Sequence, residues 1–333
     1  MQQSISKKRL QKYINNPEIL LTETGTTSLI PVLSREAARN FPLRVPKGFV
    51  DRIKKGNPDD PLLKQVLPIE EEERSTEGFT TDPLDEQKFQ ASPGLLHKYH
   101  GRALLVTTGA CAIHCRYCFR RHFPYSASNP SSDQWHQALK YLEKDESIRE
   151  IILSGGDPLS LADSRLTELI SKLSDIPHIL RLRIHTRMPI VLPERVHKDM
   201  LRWLTRSRLR PILVVHANHA NELDNKVADA MDKLHQAYVP IFNQSVLLKG
   251  INDSVDALTE LSERLFDIRV IPYYLHMLDP VKGTAHFNVD EADAAKILRQ
   301  LNKKLPGYLV PKLVREITGA RYKIPVELAT RNV

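Results

Sequence analysis

The chain has three cysteines, all within one short run, Cys111-Ala-Ile-His-Cys115-Arg-Tyr-Cys118. Thiolates are soft ligands that select zinc, copper(I) and iron–sulfur clusters. The CxxxCxxC spacing, with an aromatic directly before the last cysteine, points to a cluster. A cubane is saturated by four thiolates. Three leave one iron open to a small molecule, so a [4Fe-4S] cluster on Cys111, Cys115 and Cys118 would do chemistry at its vacant corner. Two other readings use the same residues: a zinc site completed by His114 or His122, and buried thiols with no ligand role.

This triplet resembles the radical S-adenosylmethionine (SAM) signature, in which the open iron takes the amino and carboxylate groups of SAM. A second stretch fits the same ligand. Ser154-Gly-Gly-Asp-Pro-Leu159 follows an apolar run, and two glycines there let backbone groups approach a ligand with no Cβ in the way. Gly155, Gly156 and Asp157 are therefore SAM-binding candidates, although a tight strand-to-helix turn would have the same composition. Arg187 and Gln244, at the ends of later apolar runs, are further candidates for the same ligand.

These residues need a scaffold, and the chain changes character near residue 100. Residues 36–94 are broken by prolines and acids, as in Asn57-Pro-Asp-Asp-Pro61, Glu70-Glu-Glu-Glu-Arg74 and Thr81-Asp-Pro83. This composition predicts an irregular, partly helical N-terminal appendage over 1–97, without a core of its own. From residue 102, apolar β-rich runs at 103–107, 150–154, 180–184, 211–215, 240–244 and 270–274 alternate with amphipathic patterns. Helices are expected at 253–265 and at 222–234 after Asn221. Repeating βα units imply a parallel sheet, and six of them predict an α/β fold, a partial (βα)6 TIM-like barrel within residues 98–333. Ligands bind such sheets at the strand C-terminal ends. The cysteines begin just past the first strand.

With 333 residues and 41% hydrophobic content the chain can bury a sizeable core. Residues 1–19 lack the apolar region of a secretory signal, and no run of 18 apolar residues occurs. The expectation is a cytoplasmic enzyme with no membrane association, in a compartment that keeps thiols reduced. The formal charge of +8, from 48 basic and 40 acidic residues, would suit an acidic partner. The cations are scattered along predicted helices, however, including Lys172, Arg202, Lys233, Lys296 and Arg299. That distribution describes a solvated surface, and nucleic-acid binding is not expected.

Three stretches carry a narrower resemblance: Arg116-Tyr-Cys-Phe-Arg-Arg-His-Phe123, Asn243-Gln-Ser-Val-Leu-Leu-Lys-Gly-Ile-Asn-Asp253, and Tyr308-Leu-Val-Pro through Lys323-Ile-Pro-Val326. Together, over residues 98–326, they resemble the lysine 2,3-aminomutase family, an isomerase family that joins radical SAM chemistry to pyridoxal 5'-phosphate (PLP). The resemblance implies that Lys323 forms the PLP Schiff base. Residue chemistry alone left Lys249 and Lys282 as equal candidates, because a Schiff-base lysine needs only a neutral amine in a desolvated pocket. The same likeness implies Lys98 and Arg102 for the PLP phosphate, Arg120 for the substrate carboxylate, and Asp279 for the ammonium of a lysine side chain. Glu316 matches the family's second ammonium-binding acid, which is an aspartate elsewhere, so the longer side chain is a departure. Two acids at these places disfavour glutamate as substrate. His216, Asn218 and His219 could line the cavity, or be satisfied core and rim residues.

Within the family the chain resembles bacterial homologues that supply β-lysine for modification of a lysine on elongation factor P. The implied partners are L-lysine, elongation factor P with its lysyl-ligase-type modifying enzyme, and an electron-donor protein. A free-lysine metabolic aminomutase would share every active-site residue. A radical SAM RNA-modifying enzyme would suit the charge, and a noncatalytic cluster-binding or zinc-binding module would use the cysteines alone.

Overall fold

Every one of the six apolar runs forms a strand in the computed structural model, which describes residues 13–125 and 132–326. Positions 1–12 and 327–333 of the two expected regions lie outside the described residues. The appendage opens with a short antiparallel pair, β1 (Tyr13–Ile14) and β2 (Val45–Pro46), around helices α1 (Pro17–Thr24) and α2 (Arg35–Asn40). α1 starts where Asn16 accepts hydrogen bonds from the Glu18 and Ile19 amides at 2.8 and 3.1 Å, with Pro17 at its first position. Its Leu20 and Leu21 are fully buried. Two single turns follow, α3 (Lys47–Val50) and α4 (Pro61–Lys64).

A hairpin of β3 (Gln90–Ser92) and β4 (Leu95–Tyr99) then leads into β5 (Arg102–Thr108), and all three pair antiparallel. The expected boundary between residues 97 and 98 thus falls inside β4. From β5 onward the chain runs β6 (Glu150–Gly155), β7 (Arg181–Thr186), β8 (Arg210–Val215), β9 (Ile241–Val246) and β10 (Ile271–His276). These pair parallel in sequence order. The crossovers contain α5 (Ser132–Lys144), α6 (Asp163–Ser174), α7 (Met188–Val191), α8 (Lys198–Arg206), α9 (Asn225–Gln236) and α10 (Val255–Asp267), and α11 (Glu291–Lys304) follows β10.

Six parallel strands were expected and seven are present. β11 (Lys312–Arg315) adds parallel to β10, and β12 (Ile324–Pro325) returns antiparallel on β11. The run Lys-Leu-Val-Arg is too short, with a cation at each end, to stand out as a strand from its pattern. Ten strands make one sheet in the order β12-β11-β10-β9-β8-β7-β6-β5-β4-β3. β6 lies well inside this order and is buried along its whole length, as expected of a strand covered on both faces.

The expected helix 253–265 is α10, capped by the Ser254 hydroxyl on the Ala257 amide at 3.2 Å. The expected helix 222–234 starts later. Its cap is Asp224, which accepts from the Val227 amide at 2.9 Å. Glu222 is instead turned inward and fully buried. One apolar core runs from the appendage, through Leu20, Phe49, Leu62 and Val66, to barrel residues such as Leu142, Ile151, Leu182 and Leu213. Among the described residues no helix is long and apolar enough to cross a membrane.

Candidate active site

Parallel pairing brings the C-terminal ends of β5 to β11 to one side of the sheet, and the chain leaves those ends through its chemically active residues. The cysteine loop follows β5, Gly155-Gly156-Asp157 ends β6, Arg187 follows β7, and His216 with Asn218 follows β8. Gln244 lies on β9, Asp279 follows β10, Glu316 follows β11, and Lys323 precedes β12. All fourteen site residues expected from sequence line a single cavity of about 660 Å³, which extends from these ends to Arg102, one of the fourteen, and to Arg149 and Glu150 near the N-terminal strand ends. A closed eight-stranded barrel fills its interior with side chains. This sheet is not closed by a backbone ladder among the described residues, and it retains a space the size of a small-molecule site. Lys249 and Lys282 do not line it, nor does His219; His216 and Asn218 do.

The cysteine loop is held from outside the barrel. The Arg44 and Gln65 carbonyls accept from the His114 and Arg116 amides at 3.0 and 2.9 Å. Arg116, fully buried, donates through Nε and Nη2 to both carboxylate oxygens of Glu72 at 2.8 and 2.5 Å. Arg121 donates to the same carboxylate at 2.6 Å. Burial pushes the Cys118 thiol up to about 11, and the Cys111 thiol well above its ordinary value. These thiols therefore hold their protons until a metal replaces them. Of the histidines in the zinc reading, His114 Nδ1 meets the Pro42 carbonyl at 2.7 Å and His122 Nε2 the Lys282 carbonyl at 3.1 Å, one ring nitrogen of each. Among the described residues no three side chains surround a single-ion position. A cubane takes each thiolate on a different iron, so the donor set fits a cluster.

The glycines have a reason the sequence did not give. A Cβ on Gly155 would stand 2.6 Å from the Thr108 carbonyl oxygen, and one on Gly156 would stand 2.5 Å from that of Ala110. The pair is small because the start of the cysteine loop packs against it, and the Gly156 and Asp157 amides donate to Thr108 and Ala110 at 2.6 and 2.8 Å. Asp157 is likewise occupied by protein. Its Oδ1 accepts from the Leu159 amide and the Thr186 hydroxyl, and its Oδ2 from the Arg187 and Met188 amides, all at 2.7–3.0 Å. It welds the end of β6 to the end of β7, leaving the backbone around it to meet a ligand.

Arg187 reaches the cysteines. Its Nη1 lies 2.7 Å from Cys115 Sγ, and its Nη2 donates to Glu222 at 2.8 Å and to Gln65 at 2.6 Å. The Gln244 amide donates to His216 Nε2 at 2.9 Å. Nearer Lys323, His185 and His276 each leave Nε2 without a partner among the described residues. Burial, reinforced by Arg183 beside His185 and by Lys323 beside His276, keeps both rings neutral. Neutral unsatisfied imidazoles in a cavity wall are sites for a polar ligand.

Three donors converge on Glu316: Lys323 Nζ, Lys98 Nζ at 2.9 Å and the Tyr99 hydroxyl at 2.8 Å. Burial opposes its ionisation, but the two ammonium groups outweigh that and hold the carboxyl well below the usual range. Three of the roughly four acceptor positions of the Glu316 carboxylate are thus taken by protein donors. Asp279 differs: its side chain accepts no hydrogen bond among the described residues and lines the cavity; burial, then the charge of Glu316, push its carboxyl up to about 7. Arg102 has no carboxylate partner among the described residues and stacks over Tyr99 at 4.6 Å, a free cation suited to a phosphate. The Lys323 amine, the free Arg102 and the unpartnered histidines fit PLP.

Sequence reasoning missed Tyr99, Glu72, Glu86 and Glu222. Each acts through a partner far along the chain, and the only local signal was their placement in otherwise apolar or proline-broken stretches.

The chain matches the Radical SAM superfamily model over residues 105–261. It is 48% identical to the L-lysine 2,3-aminomutase of Escherichia coli (strain K12) over 324 residues, 97% of this chain and 94% of that one. It is 46% identical to the L-lysine 2,3-aminomutase of Haemophilus influenzae over 310 residues, 93% and 92% of the two chains. Among solved structures, Streptococcus suis SuiB bound to S-adenosylmethionine is similar at a TM-score of 0.48 and 17% identity, over 66% of this chain and 51% of that one.

Proposed function

Because the chain belongs to the lysine 2,3-aminomutase family, within the radical SAM superfamily, we propose that it isomerises L-lysine to β-lysine with PLP as a second cofactor. The observation that carries this reading is the convergence of the cysteine triplet, Lys323, Arg120 and Asp279 on one cavity. When bound, a [4Fe-4S] cluster with SAM supplies a hydrogen-abstracting radical, and PLP supplies the π-system through which an amino group can shift to the neighbouring carbon. The protein's part is placement. Cys111, Cys115 and Cys118 hold the cluster, and the backbone at Gly155 and Gly156, with Arg187 and Gln244, meets SAM. Lys323 carries PLP, while Lys98 and Arg102 face its phosphate. Arg120 takes the substrate carboxylate and Asp279 the side-chain ammonium, so the carbon chain is fixed at both ends before any bond is broken. Glu316 keeps Lys98 and Lys323 in the cavity, with Asp279 as the ammonium acceptor. Walls that exclude water also keep a radical from stray hydrogen donors.

The motif likeness further supports a role in translation: β-lysine supplied to a lysyl-ligase-type enzyme that modifies elongation factor P, in the cytoplasm, with electrons from a partner protein. The test is anaerobic reconstitution with iron, sulfide and PLP, followed by SAM, a reductant and L-lysine. β-Lysine detected by mass spectrometry, dependent on all three cofactors, is the expected result. SAM cleavage without β-lysine would keep the radical chemistry and overturn the substrate.

A further inference from the structure

The guanidinium assigned to the substrate carboxylate already has a carboxylate on it. Arg120 Nε donates to Glu86 Oε2 at 2.8 Å and Nη2 to Oε1 at 2.6 Å, a side-on fork, with the two side chains only 5% and 13% exposed. Nη1 donates to the Ser154 hydroxyl at 3.1 Å, with the Gly155 carbonyl at 3.5 Å. Phe119 and Phe123 rings stand 4.7 and 5.8 Å from the guanidinium carbon. An arginine has five N–H donors. Glu86 takes two, Ser154 one and the Gly155 carbonyl, at 3.5 Å, a fourth only weakly, so for a ligand Nη2 keeps one free N–H and Nη1 one that is weakly held.

Glu86 comes from the appendage, not the barrel. It opens the short turn Glu86–Phe89, and its amide donates to Asp82 Oδ1 at 3.2 Å. Asp85, directly before it, has φ 49°, a left-handed conformation that non-glycine residues adopt at a cost of order 1 kcal/mol or more. Strain of this kind persists where the surroundings over-determine it, and here it delivers one carboxylate to one buried arginine. The bidentate fork fixes the plane and roll of the guanidinium, and it neutralises a charge that burial would otherwise leave uncompensated.

We propose that Glu86 is a positioning residue for carboxylate recognition, which turns the Nη1–Nη2 edge of Arg120 toward the amino-acid substrate and holds it there. This rests on Arg120 being the carboxylate site. A glutamine at 86 keeps the shape, but its amide NH₂ faces one of the arginine donors, so the fork breaks and the edge swings away.

The test compares L-lysine with 1,5-diaminopentane, which is lysine without its carboxylate, by titrating each into the PLP-loaded protein and following the cofactor's absorbance. The readout is the ratio of the two apparent affinities. Wild type is expected to prefer L-lysine. Glu86→Gln is expected to lower that preference about tenfold, through L-lysine alone, with diaminopentane affinity and iron content unchanged. Glu86→Asp, which keeps the charge on a shorter arm, should fall between. Arg120→Lys is expected to abolish the preference, and adding Glu86→Gln to it should change nothing more. A Glu86→Gln protein with wild-type preference, or with equal loss for both ligands, overturns the positioning role. A wild type without preference, or an Arg120→Lys variant that keeps it, overturns the assignment of Arg120 and this inference with it.

Discussion

The proposed function gives Lys323 the PLP linkage and Asp279 the side-chain ammonium, and each assignment is tested by one substitution. Lys323→Ala is expected to remove the absorbance of protein-linked PLP while iron and sulfide stay at wild-type content; an absorbance that survives would move the linkage to another lysine. Lys249 and Lys282, equal candidates on sequence chemistry, lie away from the cavity that Lys323 lines. For Asp279 the sign follows from its burial. With the carboxyl pushed up to about 7, it is neutral at lower pH and offers no charge to an ammonium group, whereas above 7 it is ionised. L-Lysine binding is therefore expected to tighten roughly tenfold between pH 6 and 8. Asp279→Asn should bind weakly with most of that slope gone. If the variant kept the wild-type slope, another group would be titrating. The cysteines were legible because three ligands in one short run leave few other readings. Glu316 was legible as a site residue through its family match, but its hydrogen bonds from Lys98, Tyr99 and Lys323 were not, since two of those donors lie more than two hundred positions away.

The elements were legible in proportion to how much of each strand is buried. The runs that became β5 to β10 are apolar because the sheet is covered over most of its area, and their ends were misjudged by at most two residues. β11 and the β3–β4 hairpin escaped notice because they are short, part-exposed and mixed in polarity. The appendage was legible only as irregular, yet its irregularity has a purpose that the structure makes plain: its carbonyls and Glu72 grip the cysteine loop. The Glu72 carboxylate, 1% exposed, is shared by Arg116 and Arg121, which are 0% and 3% exposed. Removing one partner from a buried ion group leaves uncompensated charge, at a cost of about 3–5 kcal/mol. Glu72→Gln is thus expected to lower the thermal midpoint of the protein and, more tellingly, its iron and sulfide content after reconstitution. A variant that melts early but loads a full cluster would confine Glu72 to stability and free the loop from dependence on it.

At the scale of the molecule, the central question is how an unclosed sheet keeps a radical away from water. The ten-stranded order leaves β3 and β12 as edges, and among the described residues no backbone ladder joins the two ends. The gap is spanned by side chains. Lys98 and Tyr99 come from β4 at one end, Glu316 and Lys323 from the β11–β12 connection at the other, and the carboxylate of Glu316 ties all of them. A backbone seam would fix the interior as a packed barrel, whereas a polar side-chain seam closes the wall and leaves the cavity free to hold cofactor and substrate. Glu316, which resemblance offered as a substrate contact, is on this geometry also a fastener between the two ends. Glu316→Gln should loosen it: the neutral amide has no charge to pair with the two ammonium groups, and the Lys98–Glu316 ion pair that links the terminal hairpins is lost. Amide hydrogen exchange in the unloaded protein is expected to quicken about tenfold over β3–β4 and β11–β12, and to stay unchanged over β6 to β8. Unchanged exchange at both ends would mean that the core beneath the edges, not Glu316, closes the barrel, and Glu316 would then be available to the substrate after all.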